Sequence, residues 1–146
     1  MKLLVLNGPN LNLLGVREPA LYGKADYKAL VARVKAHAKD KGVKVKIRQS
    51  NYEGDLVTAI QKARGRYDGL ILNAAAYTHT SVAILDALKG VGLPTVEVHL
   101  TDIAQREEFR HLSYVSLYTP HLVKGEGIDG YLHAMDILID LIGQLK

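Results

Sequence analysis

Residues 69–99, GLILNAAAYTHTSVAILDALKGVGLPTVEVH, decide the fold of this chain. Two short apolar runs, Gly69–Leu72 and Thr95–His99, flank an amphipathic stretch at Ser81–Val91. A strand, a helix and a second strand at this spacing read as a parallel βαβ unit, since parallel neighbours need a long crossover that a helix supplies. The same alternation continues outward in both directions. Strands are expected at Lys2–Leu6, Val43–Gln49 and Leu122–Lys124 as well. Helices are expected at Asp26–Lys41, Asn51–Gly65, near Gln105–Arg110 and at Ile128–Leu145. The chain is therefore α/β with a parallel sheet. Ser50 with Glu53, and Asp102 with Gln105, have the spacing of helix-capping pairs. Tyr131, Met135, Leu138 and Ile142 recur at helical spacing and form a core stripe.

Composition narrows the function. The 146 residues read as one catalytic domain spanning 1–146, long enough to bury a core. No cysteine is present, which removes disulfides, thiolate chemistry and Cys-built metal sites and suits a reducing, cytoplasmic setting. The start of the chain is interrupted too soon for a signal peptide, and no apolar run approaches a membrane span. Nineteen basic against fifteen acidic residues leave a formal charge of +4, scattered rather than clustered. That excess suits a small anionic substrate, and no nucleic-acid motif accompanies it.

Ligands of open parallel sheets bind beyond the carboxyl ends of the strands. The residues there are Asn7 to Asn10, Ser50 and Asn51, Asn73, Tyr77 to Ser81, and His99 to Thr101. Amides, hydroxyls and imidazoles of this kind bind polyhydroxy compounds. Glu97 and His99 are i and i+2 on a strand, so they share a face and the carboxylate can hold the imidazole's tautomer. A buried structural pair has the same spacing. His79 and His99 lie on separate loops and no H-x-x-x-H pair exists, so no metal site is expected. The stretch from Asn7 to Ala25 has neither period and carries Gly8, Pro9, Gly15, Pro19 and Gly23. It reads as an active-site lid or as a surface excursion. Within it, Arg17 beside Tyr22 would favour a phenolate; an arginine packed on an aromatic ring has the same spacing.

Several runs together resemble the type II 3-dehydroquinate dehydratases. They are Asn7-Gly8-Pro9-Asn10-Leu11-Asn12-Leu13-Leu14-Gly15, Arg17-Glu18-Pro19, Tyr22-Gly23, Arg48-Gln49-Ser50-Asn51, Thr78-His79-Thr80-Ser81, Glu97-Val98-His99-Leu100, Arg106 to Arg110, Ser113-Tyr114, Gly127 and Gly130-Tyr131. They occur in the family's order over nearly the whole chain. The resemblance implies a flavodoxin-like three-layer sandwich with five parallel strands in the order 2-1-3-4-5. It implies loss of water from 3-dehydroquinate through an enolate, without cofactor or imine. Tyr22 would be the base, Arg17 its activator, Asn10 the holder of an enolate-stabilising water, and His99 the acid oriented by Glu97. Asn73, His79, Leu100, Thr101 and Arg110 would bind substrate, and Arg106 would support the lid. Asp86 would reach a neighbouring subunit's site, within a dodecamer built as a tetramer of trimers. The pathway would be aromatic biosynthesis, or quinate breakdown by the same reaction.

The chain departs from the family pattern at Tyr52, where many members have His, at Ala74-Ala75 in place of Pro-Gly, at Leu85 in place of Arg, and at Leu117 to His121. Two other classes share such a topology. A flavin or nucleotide binder needs a phosphate cradle after the first strand, and neither G-x-G-x-x-G nor a P-loop stands there. A receiver domain needs acidic residues there, and this chain has Asn7.

Overall fold

The computed structural model describes residues 1–16, 18, 20 and 25–146. Its sheet runs β2-β1-β3-β4-β5, every neighbouring pair parallel. The strands are β1 (Lys2–Asn7), β2 (Lys44–Gln49), β3 (Gly69–Asn73), β4 (Thr95–His99) and β5 (Leu122–Lys124). Among the described residues, four helices cover it: α1 (Tyr27–Asp40), α2 (Glu53–Ala63), α3 (Val82–Val91) and α4 (Asp129–Gln144).

The period of two along each strand splits the core. Leu3, Val5, Ile71, Val96 and Val98 pack with Leu30 and Val34 of α1 and with Tyr131, Met135 and Leu138 of α4. Leu4, Leu6, Leu70 and Leu72 face the other way, onto Leu56 and Ile60 of α2 and Ile84 and Leu88 of α3. Central strands covered on both faces are apolar throughout, as β3 is from Gly69 to Leu72. β2 lies at the edge and alternates: Val45 and Ile47 pack under α1, while Lys44, Lys46 and Arg48 stay exposed. Exposed cations on an edge strand discourage pairing with another chain.

Several local expectations need correction. β1 and β3 each run one residue further than expected, because Asn7 and Asn73 are register partners. The Ser50–Glu53 capping pair does not form. Tyr52 precedes α2, and Ser50 Oγ instead accepts the Tyr52 N–H at 3.0 Å and donates to Asp55 at 2.7 Å. Asp102 does accept from the Ala104 N–H at 3.0 Å, but it opens only a 3-10 turn, Ile103–Gln105. The helix expected near Gln105–Arg110 is two such turns, the second at Glu108–Arg110. The stretch after β1 is not wholly structureless. Leu11–Leu13 form a 3-10 turn, and Leu11 and Leu14 are buried in the core. Arg17 and Tyr22 lie outside the described residues.

Gly8 sets how closely β1's end approaches β3's. Its N–H donates to the Asn73 carbonyl at 2.7 Å, and an added Cβ would sit 2.4 Å from the Ala74 carbonyl oxygen. That neighbour is backbone and cannot swing aside. Gly8→Ala is therefore expected to cost about 2–3 kcal/mol of stability. Gly54→Ala, where the methyl meets nothing within 4 Å, is expected to gain up to about 1 kcal/mol from helix propensity. Urea unfolding measures both, and a neutral Gly8→Ala would contradict the close approach.

Candidate active site

A cleft opens beyond the carboxyl ends of β1, β3 and β4. It encloses about 640 Å³ of empty space, a figure that includes open solvent. Asn10, Asn73, His79, His99, Leu100, Thr101, Arg106 and Arg110 all line it. These eight come from five separate segments. Pro9, Leu11, Ala75, Ala76 and Ile103 complete the wall, and none of these five was assigned a ligand role from sequence. Asp86 is elsewhere. It is exposed on α3, in a shallow groove with Gln61 and Arg64 of the α2 segment, away from the cleft of its own chain.

Each polar group in the cleft has a cause for its orientation. His99 is 5% exposed and Glu97 is 0%. His99 Nε2 lies 2.6 Å from Glu97 Oε1. Ser113 Oγ donates to the same oxygen at 2.6 Å, and Ser116 Oγ donates to Oε2. Burial by itself would raise the pKa of Glu97. The hydrogen bonds from His99, Ser113 and Ser116, with the charge on His99, outweigh it and bring the pKa below the ordinary glutamate value. An ionised Glu97 can only accept, so Nε2 carries a hydrogen and Nδ1 is the nitrogen left for the cleft.

His79 is fixed differently. Its Nδ1 donates to the Leu112 carbonyl at 2.7 Å, which leaves Nε2 for the cleft. Burial lowers its pKa. The Leu112 contact raises it in part, while the charges of His99 and Arg110 lower it further. A neutral His79 at neutral pH offers Nε2 as an acceptor for a ligand hydroxyl. On the rim, Arg110 Nε donates to Glu107 at 3.0 Å, and Arg106 Nε lies 3.5 Å from the same carboxylate. Two guanidinium groups held at one edge suit an anionic ligand.

The amides rest on the other face of the sheet. Tyr131 Oη donates to Asn7 Oδ1 at 2.6 Å and accepts from Asn73 Nδ2 at 2.9 Å. The Ala75 N–H donates to Asn73 Oδ1 at 3.1 Å. Burial raises the Tyr131 pKa, so the group stays a hydroxyl. The core stripe expected on α4 is present, and its first member also orients an amide of the cleft. Asn10 adopts a left-handed backbone, φ 68°, which asparagine tolerates better than most residues. Its N–H donates to Asn51 Oδ1 at 3.0 Å, and Gln49 Nε2 reaches both Asn51 Oδ1 and the Gly8 carbonyl at 3.1 Å. Asn51 thus supports the turn that carries Asn10.

Ala75 also has positive φ, 52°. Glycine at this position would avoid that strain, which explains the structural sense of the Pro-Gly that Ala74-Ala75 replaces. Among the described residues, no three His, Asp or Glu side chains converge as a metal site would require.

Tyr131→Phe removes one hydroxyl and leaves Asn7 Oδ1 and Asn73 Nδ2 each short of a buried partner. It is expected to cost about 1–3 kcal/mol. Thermal unfolding checks this, and an unchanged melting temperature would contradict the role given to that hydroxyl.

Comparison with known proteins agrees with this geometry. Residues 1–139 match the family model described as dehydroquinase class II. A 3-dehydroquinate dehydratase of Corynebacterium glutamicum is 51% identical over 140 residues, covering 96% of this chain and 97% of that protein. One from Clostridium perfringens is 49% identical over 139 residues, covering 94% and 96%. The crystal structure of the type II dehydroquinase from Butyrivibrio crossotus superimposes with a TM-score of 0.93 at 43% identity, covering 95% of this chain and 97% of that one. With the strand order and the cleft already in place, the conclusion is direct: this chain belongs to the class II dehydroquinase family.

Proposed function

We propose that this chain is a type II 3-dehydroquinate dehydratase, a hydro-lyase that converts 3-dehydroquinate to 3-dehydroshikimate by trans-elimination of water. The observation that carries this reading is the buried Glu97–His99 pair at the foot of a cleft lined by Asn73, His79 and Arg110, in a chain of this family. The reaction breaks a C–H bond beside a ketone and a C–O bond at the next carbon. It needs a base, an enolate stabiliser and an acid.

Tyr22 takes the proton at C2, with the Arg17 guanidinium favouring its phenolate. A water held by Asn10 stabilises the enolate oxygen. His99, as an imidazolium with its Nε2–H on Glu97, gives the Nδ1 proton to the C1 hydroxyl, which leaves as water while the C1–C2 double bond forms; the proton taken by Tyr22 then returns to Nδ1 and closes the cycle. The electrons of the C2–H bond pass through the enolate and end in that double bond. His79 accepts from a substrate hydroxyl. Asn73, Arg110 and the Leu100–Thr101 backbone hold the remaining polar groups, and Arg106 supports the lid. No step calls for a metal, a cofactor or an imine. The reaction serves the shikimate pathway to aromatic amino acids in the cytoplasm; quinate breakdown uses the same step. No helix among the described residues is long and apolar enough to cross a membrane.

The exposed position of Asp86, away from its own cleft, favours a site shared between subunits, in a dodecamer of four trimers. Adding 3-dehydroquinate should raise the ultraviolet absorbance of a conjugated enone, with or without chelator. Borohydride in the presence of substrate should leave no lysine adduct. An inactive clean preparation, a metal requirement or an adduct would each contradict the proposal. Tyr22→Phe and Asp86→Ala should each be inactive alone. Refolding the two together should restore roughly a quarter of the sites, because a ring can then join intact groups from neighbouring chains. No recovery on mixing would place both groups in one chain.

A further inference from the structure

The segment after the two 3-10 turns at the cleft rim carries polar contacts that the proposed reaction does not use. Its Val115–Leu117 turn is anchored by Val115, 1% exposed, in the core beneath α2 and α3. The Tyr114 N–H donates to the Thr78 carbonyl at 2.9 Å and ties the segment to the turn that carries His79. From this anchored position, Leu112 orients His79 while Ser113 and Ser116 both donate to Glu97.

The direction of the Ser113 hydroxyl is determined. Ser113 Oγ accepts the Ser116 N–H at 3.1 Å, so its own hydrogen is available to the carboxylate. Glu97 faces the α2 and α3 side of the sheet, and its register partners are Leu72 on β3 and Leu122 on β5. Neither partner offers a donor side chain. Without hydroxyls from above, a carboxylate here would keep only His99, and burial would favour its protonated form. A protonated Glu97 would also release His99 from a single tautomer.

We infer that Ser113 and Ser116 are positioning residues that keep Glu97 ionised and so hold His99 with its Nε2–H toward Glu97 and its Nδ1 toward the ligand. The catalytic part of this statement rests on the proposed function; the electrostatic part does not. The other charged groups near the pair are accounted for. His79, Arg110 and Arg106 share the cleft with His99. Lys124 on β5 is the register partner of His99, but its amine lies 2.9 Å from Asp102.

The test compares the parent with Ser113→Ala, Ser116→Ala, the double variant and Ser116→Thr. Carbon-13 NMR of the Glu97 carboxyl, read against pH, reports its ionisation without any turnover. Loss of both donors should move the Glu97 midpoint upward by about one pH unit or more. Ser116→Thr, which keeps the hydroxyl, should stay at the parent value. With 3-dehydroquinate as substrate, the double variant should lose about tenfold or more in kcat with KM little changed, and the acid limb of kcat/KM should move upward with the carboxyl midpoint.

An unmoved Glu97 midpoint would overturn the inference, whatever the activity. A shifted midpoint in a protein inactive on 3-dehydroquinate would overturn the proposed reaction and leave the positioning role standing. A loss of stability without a shift would make the serines merely structural. If the double variant does not fold, Ser116→Ala carries the same test, because that residue is exposed.

Discussion

A carboxylate with no exposure to solvent is the constraint on which the rest of the site depends. Moving such a group out of water costs several kcal/mol in practice, and only close donors or a paired charge offset it. Glu97 has one imidazole and two hydroxyls around its two oxygens. Those donors lie on β4 and on a segment sixteen to nineteen residues later. The chain between them cannot take an arbitrary path. It turns at Ile103–Gln105 and Glu108–Arg110, passes over the strand end, and returns to enter β5. In doing so it places Arg106 and Arg110 on the cleft rim and Leu112 against His79. The electrostatic needs of one buried group and the shape of the cleft are solved by the same loop.

The opposite face of the sheet has a matching device built on a neutral group. Asn7 and Asn73 end adjacent strands in register, and both point toward α4. Tyr131 fills the space between them and bonds to each. The hydroxyl both donates and accepts, so it joins the two amides. The Gly8 approach to the 73–74 backbone keeps those strand ends close enough for one side chain to bridge. The active edge of the sheet is thus held from both layers, by charge-assisted contacts on one side and by a buried phenol on the other.

What could be read from sequence followed periodicity. The parallel sheet, the core stripe of α4 and the Glu97–His99 pairing all rest on a repeat of two or of 3.6, and these emerged at their expected positions. The strand-end logic also named Asn10, Asn73, His79, His99, Leu100 and Thr101, which line one cleft, whereas Arg106 and Arg110 came only from the family resemblance. What stayed hidden lacked a repeat. Residues 103–118 form three short 3-10 turns, and no spacing rule assigns Ser113 and Ser116 to a carboxylate on another strand. Tyr131 was masked by its own regularity, because a residue in a core stripe is not expected to carry a polar task. Ser50 shows the reverse error: its spacing to Glu53 suited a cap, but Asp55 and the Tyr52 N–H were better partners. Arg17 and Tyr22 rest on the sequence resemblance, since they lie outside the described residues.

The central claim is that an ionised Glu97 fixes one tautomer of His99, with the hydrogen on Nε2 and Nδ1 facing the cleft. Nitrogen-15 NMR of a histidine-labelled sample, with His99 assigned through His99→Gln, observes both ring nitrogens directly. The account predicts a hydrogen-bearing Nε2 at every pH at which the protein is folded and Glu97 ionised. A bare Nε2 beside Glu97, with the hydrogen on Nδ1 in the neutral ring, would contradict it.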